Sequence, residues 1–303
     1  MQSVSVFALQ SQAMKILRAA HLGMCFGVRD AIELAVRQSG TAPLTVLGDL
    51  VHNDVVLAGL RSRGIASAND PARAATNTVM ITAHGASARS MSRTRALGLE
   101  IVDATCPLVH VAHRAVQALV RDGYHPVIVG QRGHVEVKGL TEDLDAFDVV
   151  LDEADVQALT PRPRIGIAAQ TTQPVDRVRR IAACIRERFA GSDVRFMDTV
   201  CRPTKQRQTA AIDMARQADV VIVVGGASSN NTRQLVETCA RFCERVHHVQ
   251  TEADLRADWL LDAATVGLTA GTSTPDDVVD RVESAIRTLA STVSATSHLA
   301  SSL

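Results

Sequence analysis

IVDATCPLVHVAHRAVQALVRDGYHPVIV, residues 101–129, contains the repeating unit of the whole chain. Ile101–Asp103 reads as a short apolar strand, and a polar turn carrying Cys106 and Pro107 follows. His110–Asp122 has helical spacing, and Pro126–Val129 is the next strand. Short apolar strands alternating with longer amphipathic helices call for mostly parallel sheets covered by helices. The unit extends in both directions. Upstream lie Lys15–Ala19, Leu44–Leu47 and Thr78–Thr82 as strands, with Arg29–Gln38 and Asn53–Arg63 as helices. Downstream, Arg164–Ala168, Val194–Asp198, Val220–Val224 and Thr265–Leu268 are strands. Gln173–Phe189, Gln206–Ala218, Arg233–Phe242 and Asp276–Leu289 are the matching helices.

Cys25, Cys106 and Cys201 each follow a strand and precede a helix, in turns marked by Gly or Pro, about 80–95 residues apart. That spacing predicts an α/β fold of three similar lobes: 14–108 with Cys25, His52 and His84; 109–200 with His134, Glu136 and Thr171, Cys106 standing at its boundary; and 201–289 with Cys201, Ser229, Asn231 and Ser273. Each lobe puts one cysteine at the carboxyl end of a parallel strand, where ligands of such sheets collect. Residues 1–13 read as an extension, and the Ser/Ala/Thr-rich tail 290–303 as frayed or loosely docked.

The composition narrows the function classes. Thirty-two basic residues balance thirty-two acidic ones, and six Phe, one Tyr and one Trp give little to stack on bases. Nucleic acid is therefore not the expected partner. No segment approaches a membrane span, and the N-terminus lacks the pattern of a signal peptide. Six cysteines in 303 residues are too few for a disulfide scaffold, so the expected setting is the cytoplasm. Cys184, Cys239 and Cys243 lie in helical runs and suit packing. The three turn cysteines suit one soft-metal centre, iron–sulfur or zinc, with an open position.

A second set of turns is polar. Val51-His-Asn53, Ala83-His-Gly85, Gly133-His-Val-Glu136, Gln170-Thr-Thr172, the run Gly225–Thr232 and Ala270–Thr274 all lie between strand and helix. Backbone N–H groups, hydroxyls, amides and imidazoles in such turns fit a phosphorylated ligand, although each Ser or Thr also suits a helix cap. No Gly-x4-Gly-Lys-Ser/Thr loop is present, which disfavours a nucleotide P-loop. An extended chain at His134–Glu136 would put both side chains on one side, a proton donor beside an anion-binding imidazole.

The ordered segments CFGVRDAIELA, VHNDVVLAGLRSRG, TAHGAS, VDATCPLV, GHVEVKG, QTT, DTVC…T..RQ, GGASSNNT..L and TAGTSTP resemble the 4-hydroxy-3-methylbut-2-enyl diphosphate reductase (LytB) family, over roughly residues 14–289. The resemblance implies one 4Fe-4S cluster on Cys25, Cys106 and Cys201 with an open iron. It implies a diphosphate bound by His52, His84, His134, Thr171, Ser229, Asn230, Asn231 and Ser273, and catalysis by Glu136 with Thr171 and His134. The implied reaction is reductive dehydroxylation of a small allylic diphosphate to isopentenyl and dimethylallyl diphosphates, with electrons from a ferredoxin- or flavodoxin-type donor to a monomer or weak homodimer. The alternatives are a divergent copy acting on a related allylic diphosphate, a non-redox 4Fe-4S hydro-lyase, and a cluster-based sensor. Four motifs depart from the family's usual pattern: Met24 and Phe26 flank Cys25, Val135 replaces a frequent proline, Arg202-Pro203 follow Cys201, and Asn230 replaces a hydroxyl.

Overall fold

The computed structural model describes residues 14–300, with side chains to 291. The expected extension at 1–13 lies outside the described residues. The chain opens with β1 (Lys15–Arg18) and α1 (Phe26–Ser39). β2 (Leu44–Leu47), α2 (Asp54–Arg61), β3 (Ala66–Ala68), β4 (Thr78–Ile81), α3 (Ala88–Ala96) and β5 (Glu100–Asp103) follow. After α4 (Pro107–Arg121) come β6 (His125–Val129), α5 (Val135–Thr141), β7 (Asp148–Val150), α6 (Glu153–Gln157), β8 (Arg164–Ala169), α7 (Val175–Arg188) and β9 (Asp193–Phe196). The chain then runs through α8 (Arg202–Ala215), β10 (Val220–Val224), α9 (Asn230–Cys239), β11 (Val246–Val249), β12 (Thr265–Ala270) and α10 (Asp276–Ala300).

Three four-stranded sheets result, each wholly parallel: β3-β2-β4-β5, β7-β6-β8-β9 and β11-β10-β12-β1. The three orders are the same pattern repeated, so the three-lobed α/β expectation holds. One assignment changes. The expected first lobe began at residue 14, but β1 pairs residue for residue with β12, Lys15 opposite Thr265 and Arg18 opposite Leu268. The first strand therefore completes the last sheet. Sequence order cannot reveal this, because a parallel edge strand can be supplied from anywhere in the chain.

The helices after the cysteine-bearing strands link the lobes. Ala31 and Ala35 of α1 pack with Leu44 and Val46 of β2, although β1 belongs to another sheet. Ala112, Val116 and Leu119 of α4 pack with Ile128 and Ala168 of the second sheet. Ala210, Ala211 and Met214 of α8 pack with Val221 and Val223 of the third. Each such helix leaves one sheet and buries its apolar stripe on the next, so every lobe junction begins at a cysteine. Burying these stripes stabilises the junctions: truncating a fully buried leucine such as Leu119 would cost about 2–5 kcal/mol. The tail expected to fray instead continues α10 through residue 300. Among the described residues, no helix is long and apolar enough to cross a membrane.

Candidate functional site

The site forms where all three sheets present their carboxyl ends. Within each lobe the loop after the first strand opens a helix at a polar residue. Asn53 caps α2 by accepting from Val56 N–H, His134 caps α5, and Ser229 caps α9 by accepting from Thr232 N–H. The loop after the third strand makes a tight turn: Thr82–Gly85, Gln170–Gln173 and Gly271–Thr274 each close with an N–H to C=O bond of 3.0, 3.1 and 3.0 Å. The fourth strand ends at a cysteine whose N–H donates to the second residue of that turn. Cys106 reaches Ala83 O, Cys201 reaches Thr171 O and Cys25 reaches Thr272 O, all at 3.0 Å. A polar turn and a cysteine are thereby joined by one hydrogen bond in every lobe.

His52, His84 and His134 meet in one cluster. The rings of His52 and His84 stack at 4.7 Å, and His134 stands edge-on to both at 5.5 and 5.4 Å. A cavity of about 30 Å³ lies among them, also lined by Thr172, Ser229, Asn230, Asn231 and Ser273. Burial holds all three imidazoles neutral: it lowers His52, pushes His134 down to about 4, and takes His84 well below the usual range, with its two histidine neighbours adding to the effect.

The ring nitrogens of the three histidines lie within 4.8 Å of one another, a spacing that also suits a metal ion. The tautomer argues against that use. His134 Nδ1 accepts from Glu136 N–H at 3.1 Å, which places the proton of a neutral ring on Nε2 and makes that atom a donor. His84 Nε2, Asn230 Nδ2 and Asn231 Nδ2 are buried with no hydrogen-bond partner. Buried amide donors without partners are costly, and a compact anion would satisfy them. Asn231 Oδ1 is fixed by Thr272 N–H at 2.9 Å, so its amide nitrogen is oriented. Ser273 donates to His52 O at 3.2 Å and so ties the third lobe to the first. A Cβ on Gly226 would lie 2.6 Å from that same carbonyl, so glycine is required for the lobes to approach.

Glu136 lies behind His134, only 1 % exposed. Its Oε1 accepts Thr171 N–H at 2.6 Å and its Oε2 accepts the Thr171 hydroxyl at 3.1 Å. Burial raises its pKa to about 7 against the lowering effect of those two bonds. The extended chain expected at His134–Glu136 does not occur. His134 caps a helix and Glu136 is its second residue, because the imidazole supplies the acceptor that a Ser or Asp would otherwise provide.

Cys25, Cys106 and Cys201 are free and occupy the cap positions of α1, α4 and α8 without making a side-chain cap bond. Burial raises the Cys106 and Cys201 thiols; backbone and Thr204 hydrogen bonds oppose the rise, and the charges of Cys25 and Glu136 add to it. These thiols and the carboxyl group are thus close enough to act on one another. A Cβ on Gly27 would lie 2.4 Å from Cys106 Sγ, so glycine after Cys25-Phe26 lets the second cysteine approach the first helix. Pro203 does not distort the Cys201 loop. It falls in the first turn of α8, as Pro107 does in α4, where an N–H has no partner within the helix. Cys239 and Cys243 are buried away from this group, and burial drives Cys239 up to about 12.

Residue selection from sequence missed Thr172. It occupies the turn position that His84 and Ser273 hold in the other lobes, and it lines the same cavity. Only the threefold alignment of the turns would have indicated it.

Fold and site together define a three-lobed α/β protein with a buried, donor-rich cluster of three histidines and two asparagines beside a buried acid and three free thiols. A model of the LytB protein family matches residues 16–287. The 4-hydroxy-3-methylbut-2-enyl diphosphate reductase of Pelobacter propionicus is 36% identical over 271 residues, 89% of this chain and 96% of its own length. That of Anaeromyxobacter sp. is 35% identical over 91% of this chain and 98% of its own. The solved E-1-hydroxy-2-methyl-but-2-enyl-4-diphosphate reductase of Plasmodium falciparum superposes with a TM-score of 0.83 at 27% identity, covering 89% of this chain and 87% of that one. A second solved structure, described as the terminal enzyme of the non-mevalonate pathway, gives 0.63 at 30% identity, covering 90% of this chain and 99% of that one. The chain belongs to the LytB family.

Proposed function

We propose that this protein is an iron–sulfur reductase of isoprenoid biosynthesis that converts (E)-4-hydroxy-3-methylbut-2-enyl diphosphate to isopentenyl and dimethylallyl diphosphates. The allylic alcohol takes up two electrons and two protons; its C–O bond breaks, water leaves, and a C–H bond forms. The observation that carries this reading is Glu136, a buried carboxyl group set near neutrality between an anion cage and three free thiols.

The donor set fits a cluster. Cys25, Cys106 and Cys201 are three soft ligands at the N-termini of three helices, where the positive ends of the helix dipoles favour thiolates. Three ligands would leave one iron of a 4Fe-4S group open. When bound, that group supplies Lewis-acid and electron-transfer chemistry.

The chain's own residues do the rest. His134 Nε2, His84 Nε2 and the Asn230 and Asn231 amides donate to the diphosphate, with His52, Ser229 and Ser273 around it. Neutral donors in a buried cage bind the anion, and they fix the alcohol end toward Glu136. With its pKa near 7, Glu136 carries a proton in about half of the molecules at neutral pH and releases it to the departing hydroxyl. Thr171 holds that carboxyl group from both oxygens. A small ferredoxin- or flavodoxin-type protein supplies the electrons.

An anaerobic assay of protein reconstituted with iron and sulfide, given the hydroxymethylbutenyl diphosphate and a chemical reductant, tests the reading. Both isoprenoid diphosphates should appear, and Cys106→Ser should lose the cluster absorption near about 400 nm together with turnover. Turnover without reductant would instead indicate a hydro-lyase, and a colourless reconstituted product would exclude the cluster.

A further inference from the structure

The segment DTVC…T..RQ contains one buried charged residue, and the reaction above does not use it. Arg207, in the second turn of α8, is 8 % exposed. Among the described residues it makes no ion pair with a carboxylate. Its guanidinium is spent on carbonyls: Nε and Nη2 donate to Gly23 O at 3.1 and 2.9 Å, and Nη1 donates to Pro203 O at 3.2 Å. Gly23 lies two residues before Cys25, and Pro203 lies two residues after Cys201. One planar cation therefore joins the loops of two cysteines that come from different lobes.

Carbonyl dipoles are a weak return for burying a full charge, and buried cations are normally paired. The nearby carboxylate is shared and exposed: Asp276 bonds to Arg29 at 3.1 Å. Burial works against the charge on Arg207, and the groups that favour it are Cys25 and Cys201 first, then Asp276. The counter-charge this cation lacks is therefore the one a loaded cysteine centre provides.

We propose that Arg207 is the fixed counter-charge of the cysteine centre, holding the Cys25 and Cys201 loops in register and easing reduction of the group they bind. The inference rests on the proposed cluster but concerns a positioning residue. Cluster potentials respond to nearby charge and to hydrogen bonding. A buried cation favours the more negative, reduced state and acts at short range without screening by water. Arginine suits the task because its fork spans two carbonyls while its charge is permanent.

The test compares reconstituted wild type with Arg207→Lys, which keeps the charge but loses the fork, and Arg207→Gln, which keeps a donor but loses the charge. The readouts are the midpoint potential by spectroelectrochemical titration and the iron and sulfide content. Arg207→Gln should shift the potential downward or fail to retain the cluster, whereas Arg207→Lys should stay close to wild type in both. Equal shifts or equal losses in the two variants would reduce Arg207 to a structural tether and overturn the proposal, as would an unchanged potential in Arg207→Gln. A wild-type chain that takes up no cluster would defeat the underlying reading itself, and that result is seen before any variant is compared.

Discussion

The two ends of the site respond to burial in opposite ways. At the histidine end, three bases are pushed down and left neutral, and several donors have no partner. At the thiol end, an acid is pushed up and left protonated near neutrality, and its oxygens are fully engaged by Thr171. Desolvation is the leading cause in both, because it disfavours whichever form carries charge. The difference lies in pairing: the histidine end holds buried donors without partners, and the acid end has both oxygens engaged.

Removing the acid has the largest expected effect among the side-chain changes that leave the cluster ligands intact. Glu136→Gln should lower turnover by about 10²–10⁴-fold while the cluster absorption remains. It should also change stability with pH in a defined direction. The carboxyl group ionises near 4.5 when unfolded and near 7 when folded, so the native state binds more protons between those values and loses stability as pH rises through them. Cluster-free Glu136→Gln escapes that loss. It should match wild type at about pH 4 and exceed it at pH 8 by up to about 3 kcal/mol, read from urea midpoints. Equal pH dependence in the two proteins would show that Glu136 is not held protonated.

Much of this arrangement was legible in the residues, and the misses have a common cause. The central strands, such as Val220–Val224 and Arg164–Ala169, are nearly continuous apolar runs and were placed closely. The outer strands β3, β7 and β11 were all missed. They are short edge strands, with sequences ASA, DVV and VHHV that lack a decisive pattern. Helices that open at the site begin earlier than their periodicity suggested: α1 at Phe26 rather than Arg29, α4 at Pro107 rather than His110, α8 at Arg202 rather than Gln206, and α9 at Asn230 rather than Arg233. Amphipathic spacing appears only where a helix packs on a sheet, whereas these first turns face the site and are chosen for chemistry. The three cysteines and the His/Asn/Ser turns were identified because such residues recur after strands. The placement of β1 in the last sheet and the role of His134 as a cap depend on contacts far apart or on a rarely used cap residue.

The histidine end should respond to ligand more than to folding. An anion bound among neutral imidazoles raises their pKa values, so binding takes up protons and tightens as pH falls. Inorganic pyrophosphate binding followed by calorimetry should strengthen from pH 8 to pH 6 more steeply in wild type than in His84→Ala. The variant should also bind about ten- to a hundredfold more weakly, the loss of one hydrogen bond to a charged group. Parallel pH slopes at equal affinity would mean that the three rings are packed together for structure only.

The smallest effect, and the finest test of the contrast, is at Asn230. Its amide nitrogen is buried and unpartnered, so in the empty protein it carries a desolvation cost of about 1–3 kcal/mol. The residue opens α9 directly after the Ser229 cap, where a serine would also fit the backbone. A serine hydroxyl is shorter and can rotate toward a local carbonyl, so Asn230→Ser should relieve part of that cost and raise Tm slightly. The same change removes a donor fixed toward the cavity and should weaken pyrophosphate binding several-fold. Opposite signs for stability and affinity are what a donor kept for a ligand requires. If both fall together, the amide is simply part of the packing of α9; if neither moves, ordered water satisfies it, and the cage depends on His84, His134 and Asn231 for its grip.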